Sequence, residues 1–238
     1  MAQQTRPGEA PARLSARVRR RFVESPTSLG AQARARRWQL IERSFPDLPD
    51  MTVVDLGGTV DSWLRAPVRP RRVVVVNLYE PGTSDDAGLV PVVGDACAAG
   101  EALVASGLET SYDLAFSNSL IEHVGGHAQR LALAEQVQSL ATYHWVQTPY
   151  RYFPVEPHYL FPGMQFLPVR ARAEVAARWP LQHTRPATRT DARSEVQWTE
   201  LLSISEMLTY FPGSEIYKER LGGLVKSLVA LRAPAAAP

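Results

Sequence analysis

The chain has 238 residues, 45% hydrophobic and 21% charged, an ordinary globular composition with room for one large α/β core or two small ones. No apolar run approaches the roughly 20 residues that span a bilayer, no apolar stretch follows the Arg-rich start as in a secretory signal, and the lone Cys97 excludes an intrachain disulfide or a cysteine-only metal cage. The net charge of +2 hides an asymmetry, because ten Arg against Glu9, Glu24 and Glu42 give residues 1–43 a local +7 and leave −5 for the rest.

The cytoplasm is the expected compartment, with no membrane partner. The basic arm reads either as a contact for nucleic acid or an acidic substrate, or as a tail followed by solvated helix faces, the usual fate of charge runs. Few aromatic residues stand among its arginines, only Phe22 and Trp38, which disfavours stacking on bases.

In chain order, residues 1–10 are expected to be disordered and Ala12–Val23 to form a basic helix. Ser28 is a candidate N-cap for a second helix running to about Phe45, with Trp38, Leu40, Ile41 and Phe45 on its buried side. Pro46 and Pro49 stop it. A first strand follows at Thr52–Leu56, then a short helix over Asp61–Arg65 ended by Pro67. A second strand covers Arg72–Leu78, apolar on both faces from Val73 to Val76 as a buried parallel strand should be. The third strand is Leu89–Val93, followed by a helix over Ala98–Ser106; the fourth is Tyr112–Ser117; a helix over Leu131–Leu140 leads to the fifth, Tyr143–Thr148.

Between residues 149 and 200 this alternation breaks. Tyr150, Tyr152, Phe153, Tyr159, Phe161 and Phe166 are interleaved with Pro149, Pro154, Pro157, Pro162 and Pro168, which no simple core helix tolerates. Ala173–Trp179 is a helix candidate, and 181–198 reads as an exposed loop. Ser203–Tyr210 is a helix, and Glu215–Leu221 and Ser227–Arg232 form an antiparallel hairpin across Gly222-Gly223, before a frayed tail at 233–238. The fold class is therefore α/β, a Rossmann-like doubly wound, mostly parallel seven-stranded sheet with a C-terminal antiparallel hairpin. The expected domains are a basic arm with helices at 1–48, a core at 49–232 carrying an acceptor insert at 149–200, and the tail.

Chemistry gathers at the carboxyl ends of the strands, where open parallel sheets bind ligands. The first offers Asp55, Gly57, Gly58 and Thr59; the two glycines let backbone approach a ligand closely. The second ends at Asn77-Leu78, with Asn77 at the spacing of a ribose-binding residue and Glu80 just beyond. The third gives Asp95-Ala96, and the fourth the run Phe116-Ser-Asn-Ser-Leu-Ile-Glu-His-Val124. Each has a plain structural reading as well: Asp55 as the cap of the short helix, Asp95 as a turn aspartate.

The pieces VVDLGGT at 53–59, VVVVNLY at 73–79, VVGDA at 92–96, YDLAFSNSLIEHV at 112–124 and VQTPYRYFPVEPH at 146–158 resemble class I S-adenosylmethionine-dependent methyltransferases, over about residues 50–232. The last piece is similar to a bacterial subgroup that includes sugar O-methyltransferases, among them one acting in methylmannose polysaccharide synthesis. The resemblance implies S-adenosylmethionine as cofactor, its methionine part against Gly57 and Gly58 with Asp55 beneath. It places Asn77 and Leu78 at the ribose, Asp95 and Ala96 at the adenine, and Asn118 below the sulfonium. Two residues depart from the family pattern: Thr59 stands where a further glycine is usual, and Asn77 where a carboxylate is usual. An amide accepts a hydroxyl hydrogen bond without charge assistance, so Glu80 is an alternative ribose ligand.

A hydroxyl acceptor needs its proton removed, by a base or after metal polarisation, and Mg²⁺ is a candidate second cofactor. Glu122, His123, His127, Glu156 and His158 are the groups available; His123 is expected to open a helix, and Glu156 and His158 to face the same way in an extended segment, while His144 is expected to be structural. The expected catalytic residues are His123, Glu156 and His158, with Tyr150, Arg151, Tyr152 and Tyr159 as the rim of a saccharide or small-molecule pocket. The same aromatic surface offers itself to a homodimer. Three rivals stay open: a nicotinamide oxidoreductase, which would want a third glycine near Asp61 or Ser62; a nucleic-acid methyltransferase using the basic arm, although Ser-Asn-Ser-Leu replaces the usual proline-rich turn; and a binding module that has lost catalysis.

Overall fold

The computed structural model describes residues 29–181 and 188–235. The expected helix over 12–23, the Ser28 cap and the whole early arm lie outside the described residues. In chain order the elements are α1 (Leu29–Ser44), β1 (Thr52–Leu56), α2 (Val60–Leu64), β2 (Arg72–Asn77), β3 (Leu89–Val93), α3 (Ala99–Ala105), β4 (Tyr112–Asn118), α4 (His127–Leu140), β5 (Ala141–Pro149), β6 (Val155–Glu156), β7 (Phe161–Pro162), α5 (Val169–Arg178), α6 (Arg189–Trp198), α7 (Ile204–Tyr210), β8 (Glu215–Leu221) and β9 (Leu224–Arg232). The chain divides into two compact units, one of Glu42–Phe153 with Gln197–Pro238, the other of Pro154–Val196 with the chain up to Ile41.

The first unit holds the seven-stranded sheet, ordered β3-β2-β1-β4-β5-β9-β8. β1 to β5 run parallel, and β9 and then β8 close the far edge antiparallel. Val73 to Val76 are fully buried and pair with Val53–Leu56 on one side and Leu89–Val92 on the other, so the valine run is buried on both faces as its composition predicts. Pro91, which lacks an N–H, stands in the edge strand β3, where that costs least. From β1 the chain winds outward to β2 and β3, then returns to lay β4 on the other side of β1. The carboxyl ends of β1 and β4 therefore flank the point where the strand order reverses, the usual place for a ligand in such a sheet.

Helix limits differ from expectation where glycine or capping chemistry intervenes. The helix before β5 starts at His127 rather than Leu131, directly after Gly125 (φ 108°) and Gly126. Ser203 caps α7 in a reciprocal capping box with Glu206. The hairpin matches the expected β8, but β9 begins at Leu224, with a bulge between Glu219 and Arg220.

The other unit corrects the reading of 181–198 as loop. Residues Arg189–Trp198 are helical, and Ala192 and Val196, one turn apart, are its buried pair. They join Tyr159, Met164 and Ala176 in a small core of their own. β6 and β7 form a two-residue ladder, Val155↔Pro162 and Glu156↔Phe161. The Arg172 guanidinium donates to the Val196 carbonyl at 2.8 Å, tying α5 to α6.

Candidate active site

The end of β1 is built around a buried carboxyl. Asp55 is 2% exposed; its Oδ2 accepts from the indole N–H of Trp63 at 2.7 Å, and its Oδ1 has no hydrogen-bond partner among the described residues. Burial pushes this carboxyl up to about 7, against the opposing pull of the Trp63 hydrogen bond. Above it runs the glycine turn. Gly57 adopts φ 85°, a left-handed conformation that side chains rarely take, and a β-carbon there would meet Leu120 at 2.7 Å. Its N–H donates to the Val76 carbonyl at 2.8 Å, so the turn continues the sheet bonding before it leaves. Thr59 caps α2 through its hydroxyl, which explains a hydroxyl residue at the position where the family has glycine.

Asn77 is engaged within the chain. Its amide N–H₂ donates to the carbonyls of Gly57 (3.2 Å) and Gly58 (2.8 Å), and its oxygen accepts from the Tyr79 N–H at 3.1 Å. It is a clamp on the glycine turn, with one carbonyl lone pair left for a ribose hydroxyl. Leu78 and Tyr79 beyond it are 60% and 78% exposed, and Val93 at the end of β3 is 59% exposed, so apolar surface lies bare after both strands. Asp95 caps the following 3₁₀ turn, accepting from the Cys97 N–H at 2.9 Å, while the Ala96 methyl belongs to the core.

β4 ends with Asn118 exposed and Ser119 in the left-handed region at φ 58°. Ser119 is held there by Gln147, to whose main-chain and side-chain oxygens it donates at 2.9 Å each. Such strain persists only where surrounding bonds over-determine it. The next residues form a turn, not the expected helix start: the His123 N–H donates to the Leu120 carbonyl at 2.7 Å, and Gly125-Gly126 delay the helix. Glu122 is fully buried and receives the Thr148 hydroxyl at 2.9 Å. His123 is partly exposed; its Nδ1 lies 3.3 Å from the Thr199 hydroxyl and its Nε2 4.0 Å from Glu122. His127 instead bonds the Tyr210 hydroxyl at 2.9 Å. His144 is structural, as expected: it is buried, 2.8 Å from Ser214, and burial lowers it to about 4.

Two of the expected rim residues are engaged elsewhere. The Arg151 guanidinium donates to the Leu201 carbonyl at 2.7 Å and to Glu206 at 2.9 Å, and lies 3.6 Å from Glu200. Arg130, buried on α4, holds Glu200 from its other side at 2.7 Å. Arg151 is thus a structural tie rather than a rim group. Tyr150 and Tyr152 form an edge-to-face pair 5.5 Å apart, with Tyr152 57% exposed.

In the other unit Tyr159 is also corrected: it is 2% exposed, a core residue and not a rim. Glu156 and His158 do come together. Glu156 is 3% exposed; its Oε1 lies 2.6 Å from Nδ1 of His158, and its Oε2 accepts from the Tyr159 N–H at 2.9 Å.

No protein-family model and no curated protein matches the chain. Solved structures match at the level of architecture. The chain is similar over 98% of its length, and 92% of the other's, to the 1,6-didemethyltoxoflavin-N1-methyltransferase of Burkholderia thailandensis bound to 1,6-didemethyltoxoflavin and S-adenosylhomocysteine, at 13% identity and a TM-score of 0.50. The magnesium protoporphyrin IX methyltransferase of Synechocystis PCC 6803 with bound S-adenosylhomocysteine matches 98% of this chain and 90% of its own, at 11% identity and 0.50. An S-adenosylmethionine-dependent methyltransferase of Mesorhizobium loti matches 82% and 97%, at 13% and 0.50. The fold is the Rossmann-like methyltransferase fold. Within that methyltransferase architecture, the Gly57-Gly58 turn and the ends of β2 and β3 occupy the carboxyl edge of the sheet beside the β1/β4 switch point.

Proposed function

We propose that the protein transfers a methyl group from S-adenosylmethionine to a hydroxyl of a small molecule or saccharide. The observation that carries the cofactor half is the bare glycine turn lying over a buried carboxyl with an orphaned oxygen, at the switch point of a methyltransferase fold. The residues fit the molecule. Gly57 and Gly58 carry no side chain to hold a ligand off the backbone, and the Asp55 oxygen lacks a donor that an ammonium group would supply. Leu78, Tyr79 and Val93 offer apolar surface to a flat base, and Asn77, Glu80 and Asp95 offer polar atoms to hydroxyls and an amine. The sulfonium supplies an electrophilic methyl carbon; the protein's task is to position the acceptor and take its proton.

On the acceptor side the proposal assigns proton removal to Glu156 with His158 and to His123, and aromatic contact with a sugar face to Tyr150 and Tyr152. Support comes from the 2.6 Å Glu156–His158 contact and from Tyr152, exposed in its edge-to-face pair with Tyr150. The saccharide class, including a methylated mannoside, rests on the sequence likeness after β5. Mg²⁺ favours several oxygen ligands, and Glu156 fits it poorly, since both of its oxygens are engaged, one by the His158 imidazole and one by the Tyr159 N–H. Proton transfer is therefore assigned to protein groups.

The test is calorimetry with S-adenosylmethionine and S-adenosylhomocysteine, followed by turnover against a panel of hydroxyl acceptors with and without divalent metal. Micromolar-range binding and methylation of a hydroxyl are expected. Binding without turnover on hydroxyl or amine acceptors would instead identify a catalytically silent module.

A further inference from the structure

Ser119 takes a positive φ of 58° directly after β4, beside the point where the strand order reverses. An L-residue adopts that conformation at a cost, because its β-carbon crowds the following carbonyl. A serine is kept there by its neighbours rather than by its own preference, and strain held in this way gathers where a chain must present groups to a ligand. Three contacts, all within the unit that carries the sheet, fix this corner. Ser117, buried on β4, donates its hydroxyl to the Leu56 carbonyl at 2.9 Å and so joins β4 to β1 one residue before Gly57. Ser119 donates its N–H to the Gln147 carbonyl and its hydroxyl to Gln147 Oε1, each at 2.9 Å. Gln147 is itself buried on β5, the register partner of Asn118, so the amide that receives the hydroxyl has little freedom to follow a moving turn. Leu120, the residue after the left-handed turn, then lies on Gly57: its Cδ1 is 2.7 Å from where a β-carbon of Gly57 would stand.

The glycine turn is thus held from two sides. Asn77 of β2 grips its carbonyls by hydrogen bonds, and Leu120 rests on it by packing. The first hold is made by β2 alone; the second depends on Ser119 keeping the chain bent. The same bend leads into the turn in which the His123 N–H donates to the Leu120 carbonyl at 2.7 Å, so it also sets where Glu122 and His123 leave the sheet edge.

We infer that Ser119 and Gln147 are positioning residues for the methyl transfer, whose hydrogen bonds hold the left-handed turn that seats Leu120 on the cofactor-binding glycine turn. The inference deepens the proposed function and rests on it for the identity of the cofactor. Both residues act through Leu120 and Gly57 rather than on the reacting atoms. A chain that relaxes at residue 119 must be bent again when the ligand arrives, and its apparent affinity falls in proportion to the fraction still bent.

The experiment measures S-adenosylhomocysteine binding by calorimetry on the full chain and on Ser119→Ala, Ser119→Gly and Gln147→Met, each at a temperature where circular dichroism shows it folded. Alanine loses the hydroxyl and keeps the steric cost, so Kd should rise about tenfold, as for a turn bent about a tenth of the time. Glycine also loses the hydroxyl but takes φ 58° freely, so Kd should stay within about threefold of wild type. Gln147→Met should match Ser119→Ala, and the double variant should bind no more than about twofold more weakly than either, since both changes remove one bond. Alanine as good as wild type, glycine no better than alanine, or fully additive losses would each overturn the inference. Amide exchange in the ligand-free chain is the second readout. Ser119→Ala should speed exchange of both the residue 119 N–H and the Gly57 N–H by at least about tenfold. Faster exchange at residue 119 alone would show a local turn with no hold on Gly57, and would overturn the positioning role. A wild type that binds no S-adenosylhomocysteine would sink the proposed function, and the exchange result alone would then decide whether Ser119 holds the glycine turn.

Discussion

The carboxyl of Asp55 stands where a β-carbon of residue 58 would be. A methyl group on Gly58 would lie 1.7 Å from Oδ2 of Asp55. The glycine and the aspartate therefore define one another: the turn can pass over the carboxyl only as bare backbone, and the carboxyl stays buried only under a bare turn. Gly58→Ala should displace Asp55 and abolish binding of S-adenosylmethionine. Gly57→Val should do the same by another route, since φ 85° is strained for valine by about 1–3 kcal/mol and Leu120 blocks the added carbons. Calorimetry on variants shown to be folded by circular dichroism checks both. A folded Gly57→Val that binds like wild type would remove the cofactor from this turn.

Arg151 yields a prediction opposite to the one its sequence context suggests. Its guanidinium fastens the segment around Leu201 and Glu206 to the end of β5. Arg151→Ala should lower stability by about 1–2 kcal/mol, discounted for partial exposure, while leaving acceptor KM unchanged. Lysine should rescue little, because it cannot reproduce the Nε–H bond to the Leu201 carbonyl. Urea denaturation measures the first effect; a KM raised tenfold in a stable variant would return Arg151 to the acceptor rim.

Tyr159 is predicted to be silent in the reaction. Its hydroxyl is buried with no partner among the described residues, so Tyr159→Phe removes a group that gains nothing from its site. Equal or slightly higher stability and unchanged kcat/KM are expected. A large loss of kcat/KM in a folded Tyr159→Phe would mean the hydroxyl reaches substrate.

Asp55 and His144 give the stability a pH dependence with two opposed slopes. Asp55 titrates at about 7 when folded against an ordinary 3.8, so between those values the folded chain holds a proton the unfolded chain has lost, and stability falls as pH rises. His144 titrates at about 4 when folded against 6.5, so there the unfolded chain holds the extra proton, and stability rises with pH. From about pH 4 to 6.5 the two contributions cancel in part. Asp55→Asn should expose the rising slope and His144→Asn the falling one, in urea titrations repeated across that window. Parallel profiles for wild type and Asp55→Asn would show that the carboxyl is not buried as described.

How far the sequence carried depended on whether a residue's partners were close in the chain. The Val73–Val76 run and the Gly57-Gly58 turn announce themselves locally, and a buried parallel strand and the glycine loop follow from them. Asn77 could be placed by its distance from Asp55, but the carbonyls it holds lie about twenty residues earlier, and no spacing rule reports them. Arg151 and Tyr159 were read as rim because aromatic, Pro-rich surroundings suit a sugar. The groups that occupy Arg151 lie 50 and 55 residues on, and the core that covers Tyr159 comes from helices downstream. The helix Arg189–Trp198 was missed because its buried face consists of Ala192 and Val196 alone, too small a signal against eight other residues of mixed polarity. His123 was expected to open a helix; Gly125-Gly126 carried the contrary signal in plain view.

The hold of Asn77 on the glycine turn has a thermodynamic corollary. With two carbonyls fixed by its amide and Tyr79 fixing the amide in turn, the turn has its shape before any ligand arrives. The conformational entropy of ordering those residues is then lost on folding rather than on association, which leaves more of each contact to appear as affinity. Asn77→Ala would loosen the turn as well as take away the polar atom offered to the ribose, adding an entropic penalty on binding to the lost contact, with slower association as the loop waits to be ordered by its guest.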